Sequence, residues 1–150
     1  DLERNDLGRV CDYGTVQLRQ RRTIEAYRSV FQATAEIEGR LHPSRDRWDL
    51  LRACFPGGSV TGCPKIRAME LIEELEPEAR GIYTGSMGYL SFHETLQFNV
   101  LIRTLLKQGD RVSFHVGGGI VADSDPDKEY EETLIKARVL FEALTGRQTL

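Results

Sequence analysis

Four groups of residues have the types and spacing to do chemistry. The first runs from Gly57 to Lys65 in the order Gly-Gly-Ser-Val-Thr-Gly-Cys-Pro-Lys. Its glycines let the backbone approach a ligand closely, and a helix starting beyond them turns free N–H groups toward an anion. A Gly-rich turn that merely caps a helix has the same composition. Lys65 opposes the dipole of that helix, a cost that something anionic nearby would offset. The loop is not of the Walker type, because Gly62 is followed by Cys63-Pro64 rather than by Lys-Ser or Lys-Thr. The second group is Gly117-Gly118-Gly119. Three glycines in a strand weaken it, so they mark either a bulge or corner, or backbone donors that face a carboxylate. The third is Arg103, expected in a strand beside Thr104, which could grip the same anion by two parallel hydrogen bonds or stand as a solvated edge charge. The fourth is the pair Glu129 and Glu132, which share a helix face at spacing i, i+3 while Glu131 points elsewhere. Two close carboxylates repel unless a proton or cation lies between them, and a hard ion such as Mg²⁺ held with substrate oxygens and waters is one solution. The other is a solvated acidic first turn that complements the helix dipole.

The remaining candidates carry less. His42, His93 and His115 share no metal-ligand spacing, and only His115, beside the triple glycine, is placed to reach a site. Cys11, Cys54 and Cys63 are an odd number at wide spacing, which fits reduced thiols in a cytoplasmic protein better than a disulfide framework. No nucleophile elbow and no dinucleotide glycine motif occurs, so hydrolase and dehydrogenase readings have no support.

The elements that must position these groups follow from periodicity. Asp12-Tyr13-Gly14 is a turn leading to a short strand, Val16 to Leu18. Phe31, Ala33, Ala35 and Ile37 alternate with polar residues up to Gly39, the pattern of a half-buried strand. Ser44 is the expected N-cap of a helix carrying Trp48, Leu51 and Cys54 on one face. Pro64 opens a second helix, with Ile66, Met69, Ile72 and Leu75 as its apolar stripe. Strands are expected around Tyr83–Phe92 and Phe98–Leu106 and at Val112–Val116, with Gln108-Gly109-Asp110 as a hairpin turn. Asp125-Pro126 starts a last helix that buries Leu134, Ala137, Leu140, Phe141 and Leu144. Helices with consecutive hairpins predict an α+β fold with an antiparallel sheet.

Composition bounds the function. The 150 residues are 40% hydrophobic and 29% charged, with Lys+Arg 20 against Asp+Glu 23 and a net charge of −3. That balance excludes a general nucleic-acid binder, which needs a basic face. No apolar run reaches the roughly 18–20 residues of a membrane span. The length alone suits one domain, and no linker or repeat divides it. Yet the chain opens on Asp1-Leu2-Glu3-Arg4-Asn5-Asp6, a dense polar motif with no lead-in, as though cut from something longer.

Taken together, the segments resemble the chorismate-utilising enzymes: anthranilate synthase component I, aminodeoxychorismate synthase component I and the isochorismate synthases. The likeness runs almost end to end. It includes Asp1 to Cys11, Phe55 to Glu70, Tyr83 to Tyr89, Ile102-Arg103-Thr104, Gly117 to Ser124, Glu129 to Thr133 and Lys136-Ala137. The Pro64-Lys65 pair looks like the aminating members. Phe55-Pro56-Gly57-Gly58-Ser59 and Gly117-Gly118-Gly119-Ile120 are similar to the aminodeoxychorismate, or para-aminobenzoate, branch of folate biosynthesis. Anthranilate synthase component I is the runner-up.

The resemblance implies roles. Tyr83, Arg103 and the backbone of the two Gly-rich loops, with Ser59, Gly117 and Gly119, would bind the enolpyruvyl carboxylate of chorismate. Glu129 and Glu132 would hold Mg²⁺ against the ring carboxylate. Lys65 is a site-lining cation and the single catalytic candidate in the chain. The reaction implied replaces the C4 hydroxyl of chorismate by an amino group from ammonia, delivered by a separate glutamine amidotransferase subunit or domain. Gln32 stands where anthranilate synthases carry a histidine, and it cannot shuttle a proton at neutral pH. A Pro-Ile-x-Gly-Thr block, with a nucleophilic lysine, and a further acidic block are expected before Asp1. Residues 1–150 would then be the C-terminal portion of the catalytic domain, part of an α/β sandwich with antiparallel sheets, inactive alone and prone to pair with itself through open strand edges. From another class, a non-catalytic anion-binding or assembly module would fit the same loss.

Overall fold

Antiparallel pairing between sequence neighbours accounts for every sheet among the described residues, which are 1–27 and 31–146 of the computed structural model. The chain divides into two units, Asp1–Leu75 and Glu76–Leu150. In the first, the order is helix α1 (Leu2–Gly8), strands β1 (Gln17–Ala26) and β2 (Phe31–Glu38), helix α2 (Arg47–Cys54), a 3₁₀ turn (Gly58–Val60) and helix α3 (Lys65–Leu75). In the second, strands β3 (Ser86–Leu90), β4 (Leu96–Val100), β5 (Leu106–Gln108) and β6 (Arg111–Ser113) precede helix α4 (Pro126–Thr145). The sheets are β1-β2, β3-β4 and β5-β6, each of two strands. The α+β class expected from the sequence therefore holds, with hairpins in place of large sheets. No described helix is long and apolar enough to cross a membrane.

Local chemistry explains where the elements start and stop. Helix α4 begins as expected: Pro126 occupies the first turn, and the Asp125 carboxylate accepts from the Lys128 amide at 3.1 Å. It ends at Gly146, whose φ of +64° is the left-handed cap that glycine favours. Helix α2 corrects the Ser44 expectation. Its cap is Asp46, whose carboxylate accepts from the Trp48 and Asp49 amides at 2.8 and 2.9 Å, while Asp49 accepts from the Asp46 amide at 3.1 Å. That reciprocal box satisfies donors on both sides of the helix start, and Ser44 instead pairs with the His42 ring at 2.7 Å. Gly109, at φ +60°, turns β5 into β6 as expected.

Two strands end sooner than periodicity predicts. The stretch from Phe98 to Leu106 is broken between β4 and β5, because Arg103 sits at φ +51°, which no extended chain can contain. Strand β6 ends at Ser113, and residues 114–121 have no regular structure. In β3, Gly88 is obligatory: a Cβ there would lie 2.1 Å from the Gln97 carbonyl oxygen and 2.5 Å from the Phe98 ring of β4.

The core is smaller than the apolar stripes suggest. Among the described residues, Val10, Ala53, Ala137 and Leu140 are the buried apolar ones. Leu134, Phe141 and Leu144 remain more than two-fifths exposed, although Phe141 meets Phe114 edge to face at 5.1 Å. Leu75 of α3 is 73% exposed, and Phe31 and Ile24 on the β1–β2 hairpin are 81% and 71% exposed. Period-two alternation marks an apolar face, but a face is buried only when another layer covers it.

Candidate functional site

Asp6 and Lys65 organise the first unit. The Asp6 side chain is fully buried and Lys65 is buried beside it, with Nζ 2.8 Å from Oδ1. The other carboxylate oxygen, Oδ2, accepts the Gly58 amide at 2.8 Å. The Lys65 ammonium also donates to the carbonyl oxygens of Ala53, at 3.4 Å, and Pro56. One carboxylate on α1 thus holds the glycine loop and the first residue of α3 together. The anion expected to offset Lys65 is this internal one. Lys65 directs its charge inward at protein acceptors and so pins the loop. Burial also pushes the Cys54 thiol up, with the Asp6 charge adding to it, so that sulfur stays protonated. Ser59, next to the buried Gly58, is exposed. Gln32 lies exposed in β2 opposite Glu25.

In the second unit, Tyr83 and the triple glycine come together. A methyl group placed on Gly117 would lie 2.8 Å from the Tyr83 hydroxyl, and one on Gly118 would lie 3.1 Å from Glu129 Oε2. None of the three glycines has a left-handed φ; a side chain at 117 would have to displace the Tyr83 hydroxyl, while at 118 it would meet the end of a flexible carboxylate. Gly119 has open space at its Cβ position. No described acceptor takes the amides of Gly117, Gly118 or Gly119, or the Tyr83 hydroxyl. Burial of the ring raises the Tyr83 phenol above its ordinary value, against the lowering effect of Arg80. The phenol therefore remains a donor at neutral pH.

The carboxylate pair lies at the start of α4. Glu129 Oε1 accepts from Ser124 Oγ at 2.6 Å. Glu132 pairs with Lys136 at 2.6 Å, and the same ammonium donates to the Gly117 carbonyl at 3.1 Å. A cation thus already serves Glu132 and ties α4 to the glycine segment. Arg103 is exposed and makes no hydrogen bond or ion pair with a described residue, so its fork is open to solvent. Its left-handed backbone removes it from the strand expected for it. Among the described residues no three His, Cys, Asp or Glu side chains cluster as metal ligands. The two hard carboxylates suit a Mg²⁺ ion that keeps waters and takes oxygens from a bound substrate, which is how that ion is commonly held.

A family model described as chorismate binding enzyme matches residues 1–142. This chain belongs to the chorismate binding enzyme family. It is 53% identical over 149 residues to an anthranilate synthase component 1 of Synechocystis sp., covering 96% of this chain and 29% of the relative. It is 46% identical over 144 residues to the aminodeoxychorismate synthase component 1 of Bacillus subtilis, covering 96% of the chain and 31% of that protein. The crystal structure of anthranilate synthase component I from Streptococcus pneumoniae superposes with a TM-score of 0.81 at 43% identity, over 92% of this chain and 32% of that one. The chain therefore spans less than a third of these relatives.

The sequence carries no functional signal, or only a local one, for three further residues. Asp6 lay inside the opening motif but is 59 positions from the lysine it neutralises, and no local spacing links the two. Lys136 carried a usable signal, since it follows Glu132 by one helical turn. Arg80 pairs with Glu76 at 2.7 and 2.8 Å, but the two lie past the end of α3 and across Pro77, where spacing of four carries no helical signal.

Proposed function

We propose that this chain is part of component I of a chorismate-aminating synthase, and that its second unit holds carboxylate-binding and metal-binding groups for chorismate. The observation that carries the reading is the unpartnered Tyr83 hydroxyl set against Gly117, with the free amides of Gly117, Gly118 and Gly119 and the Glu129 carboxylate beside Gly118. Donors without protein acceptors, beside carboxylates, suit a ligand bearing one carboxylate for the donors and another for a bridging cation. In this reading Tyr83, Arg103 and the amides of Gly117 and Gly119 bind the enolpyruvyl carboxylate. Ser59, exposed on the glycine loop, is proposed as a further substrate contact.

Glu129 and Glu132 would hold Mg²⁺. When bound, that ion would neutralise the ring carboxylate and stabilise charge as hydroxide departs. The chain's own contribution is binding and orientation. Tyr83 donates to the anion, Arg103 offers a two-pronged contact, and Lys136 keeps α4 registered on Gly117. The C4–O bond of chorismate breaks and a C4–N bond to ammonia forms, while hydroxide leaves with a proton from the ammonia as water. A glutamine amidotransferase subunit or domain would supply the ammonia, in the cytoplasm. The motif spellings around Gly57 and Gly117 favour 4-amino-4-deoxychorismate as product, within the transferase step toward para-aminobenzoate and folate. The 53% identity to an anthranilate synthase component favours the second reading, anthranilate, formed with lyase loss of the enolpyruvyl group.

Product analysis decides between them. The complete protein, given chorismate, ammonium and Mg²⁺, should form a non-fluorescent aminated chorismate; fluorescent anthranilate would establish the second reading. No amination by the complete protein under either assay would return the chain to the class of non-catalytic modules. The 150-residue chain alone should not turn over.

A further inference from the structure

Three side chains in the second unit, Glu76, Arg80 and His115, gather about Tyr83, the group that the proposed reading uses. Arg80 and Tyr83 are the ends of a tight turn, closed by the Tyr83 amide on the Arg80 carbonyl at 2.9 Å, with Gly81 at φ +57°. The turn sets the Arg80 guanidinium 5.8 Å from the centroid of the Tyr83 ring. Glu76, four residues earlier and just past the end of α3, clamps that guanidinium, taking Nε at 2.8 Å and Nη2 at 2.7 Å, and Nη1 reaches Thr84 Oγ1 at 3.2 Å. The His115 ring stacks on Tyr83 at 5.5 Å, with 18° between planes. Arg80, Tyr83 and His115 line one cavity of about 210 Å³, together with Thr104 and Ser113.

We propose that Glu76, Arg80 and His115 are positioning residues for the Tyr83 hydroxyl, holding it against Gly117 so that an incoming carboxylate meets a donor already in place. A phenol on a turn would otherwise swing about two side-chain torsions, and fixing it in advance lowers the entropy lost when the anion binds. A guanidinium over an aromatic face stabilises the ring only while its own orientation is fixed, which the two-pronged Glu76 contact provides. The electrostatics agree with this geometry. The Arg80 hydrogen bonds hold the Glu76 carboxyl below its ordinary value, with a smaller contribution from His115.

The inference rests on Tyr83 being a chorismate contact, and the test separates the two. Chorismate-dependent turnover is measured in the complete protein for Tyr83→Phe, Arg80→Met and the double variant. Tyr83→Phe should raise KM about tenfold to a hundredfold, the range for losing one hydrogen bond to a charged group, with a smaller change in kcat. Arg80→Met should raise KM in the same direction, yet add nothing in the Tyr83→Phe background, because it acts through the hydroxyl that is already gone. Arg80→Lys, which keeps a cation near the ring but loses the fork, should recover part of the loss. Multiplicative effects in the double variant would overturn the proposal and leave Tyr83 as a contact, as would an Arg80→Met enzyme with unchanged KM. An unchanged KM in Tyr83→Phe would overturn the Tyr83 reading itself, and the proposal with it. Should Arg80→Met fail to fold, the isosteric Glu76→Gln replaces it in the same cycle with the same expectations.

Discussion

Lys65 Nζ lies 2.8 Å from Asp6 Oδ1, and both side chains are buried. The pair joins the first helix of the chain to the first residue of α3, and through Oδ2 to the amide of Gly58. Buried ion pairs contribute little net stability compared with apolar residues of the same volume, but an unpaired survivor is costly. Its role is to fix the conformation of a glycine loop that has few side chains of its own to pack.

Breaking the pair from one side should therefore be worse than removing it whole. Asp6→Asn or Lys65→Met alone is expected to cost about 3–5 kcal/mol, the range for orphaning a buried charge. Asp6→Leu with Lys65→Met should cost less than the sum of Asp6→Leu and Lys65→Met measured alone. Urea unfolding of the four variants checks this; strictly additive losses would mean that the two charges do not depend on each other.

Arg103 has no partner among the described residues, so it has nothing structural to lose. Arg103→Ala should leave the urea midpoint within about 0.5 kcal/mol of the parent, as for an ordinary surface change. It should raise KM for chorismate by at least about tenfold. A normal KM would return Arg103 to the status of a solvated charge.

The carboxylates of α4 give predictions of opposite sign. Glu132→Ala should raise the Mg²⁺ requirement of the complete protein or abolish turnover. Lys136→Met removes the ammonium that occupies Glu132 at 2.6 Å, and should tighten Mn²⁺ binding in the absence of substrate, read by electron spin resonance of the free ion. Weaker Mn²⁺ binding in Lys136→Met would mean that the lysine supports the site instead of competing for it.

Glu76 makes stability depend on pH. Two hydrogen bonds from Arg80 hold its carboxyl below its ordinary value, so the folded state keeps it ionised where the unfolded chain would take up a proton. The stabilisation is present above the ordinary carboxylate value, about 4.3, and is lost as pH falls through the depressed one. Glu76 is 38% exposed, so the effect is expected to stay below about 1 kcal/mol. Glu76→Gln should lower the urea midpoint at pH 7 and match the parent near pH 3. An equal deficit at both values would refute the linkage.

What could be seen in the residues was chemistry that closes locally. Asp125-Pro126 announced a helix because a cap and a fixed φ act within one turn, and Gly109 announced a hairpin for the same reason. Arg103 was misplaced in a strand because a left-handed arginine leaves no mark in the sequence that a glycine would have left. Lys65 was visible as an oddity, a cation at a helix start, but its partner lay 59 residues away. The triple glycine stands out by composition alone, but Tyr83 is legible only through a family likeness. The reason for glycine at 117, a hydroxyl 2.8 Å from where its methyl would be, belongs to tertiary structure.

The small buried apolar core of the described residues, Val10, Ala53, Ala137 and Leu140, sets a calorimetric signature. The heat-capacity increment of unfolding and the urea m-value both scale with the surface newly exposed, and here the faces bearing Ile24, Phe31 and Leu75 are already wet in the folded state. The 150-residue chain should therefore melt over a wide temperature range with a heat-capacity step below the ordinary 12–15 cal/mol/K per residue, or about 2 kcal/mol/K for this length. Any polypeptide that truly covers those faces would announce itself by sharpening the transition, whether or not it changes the midpoint.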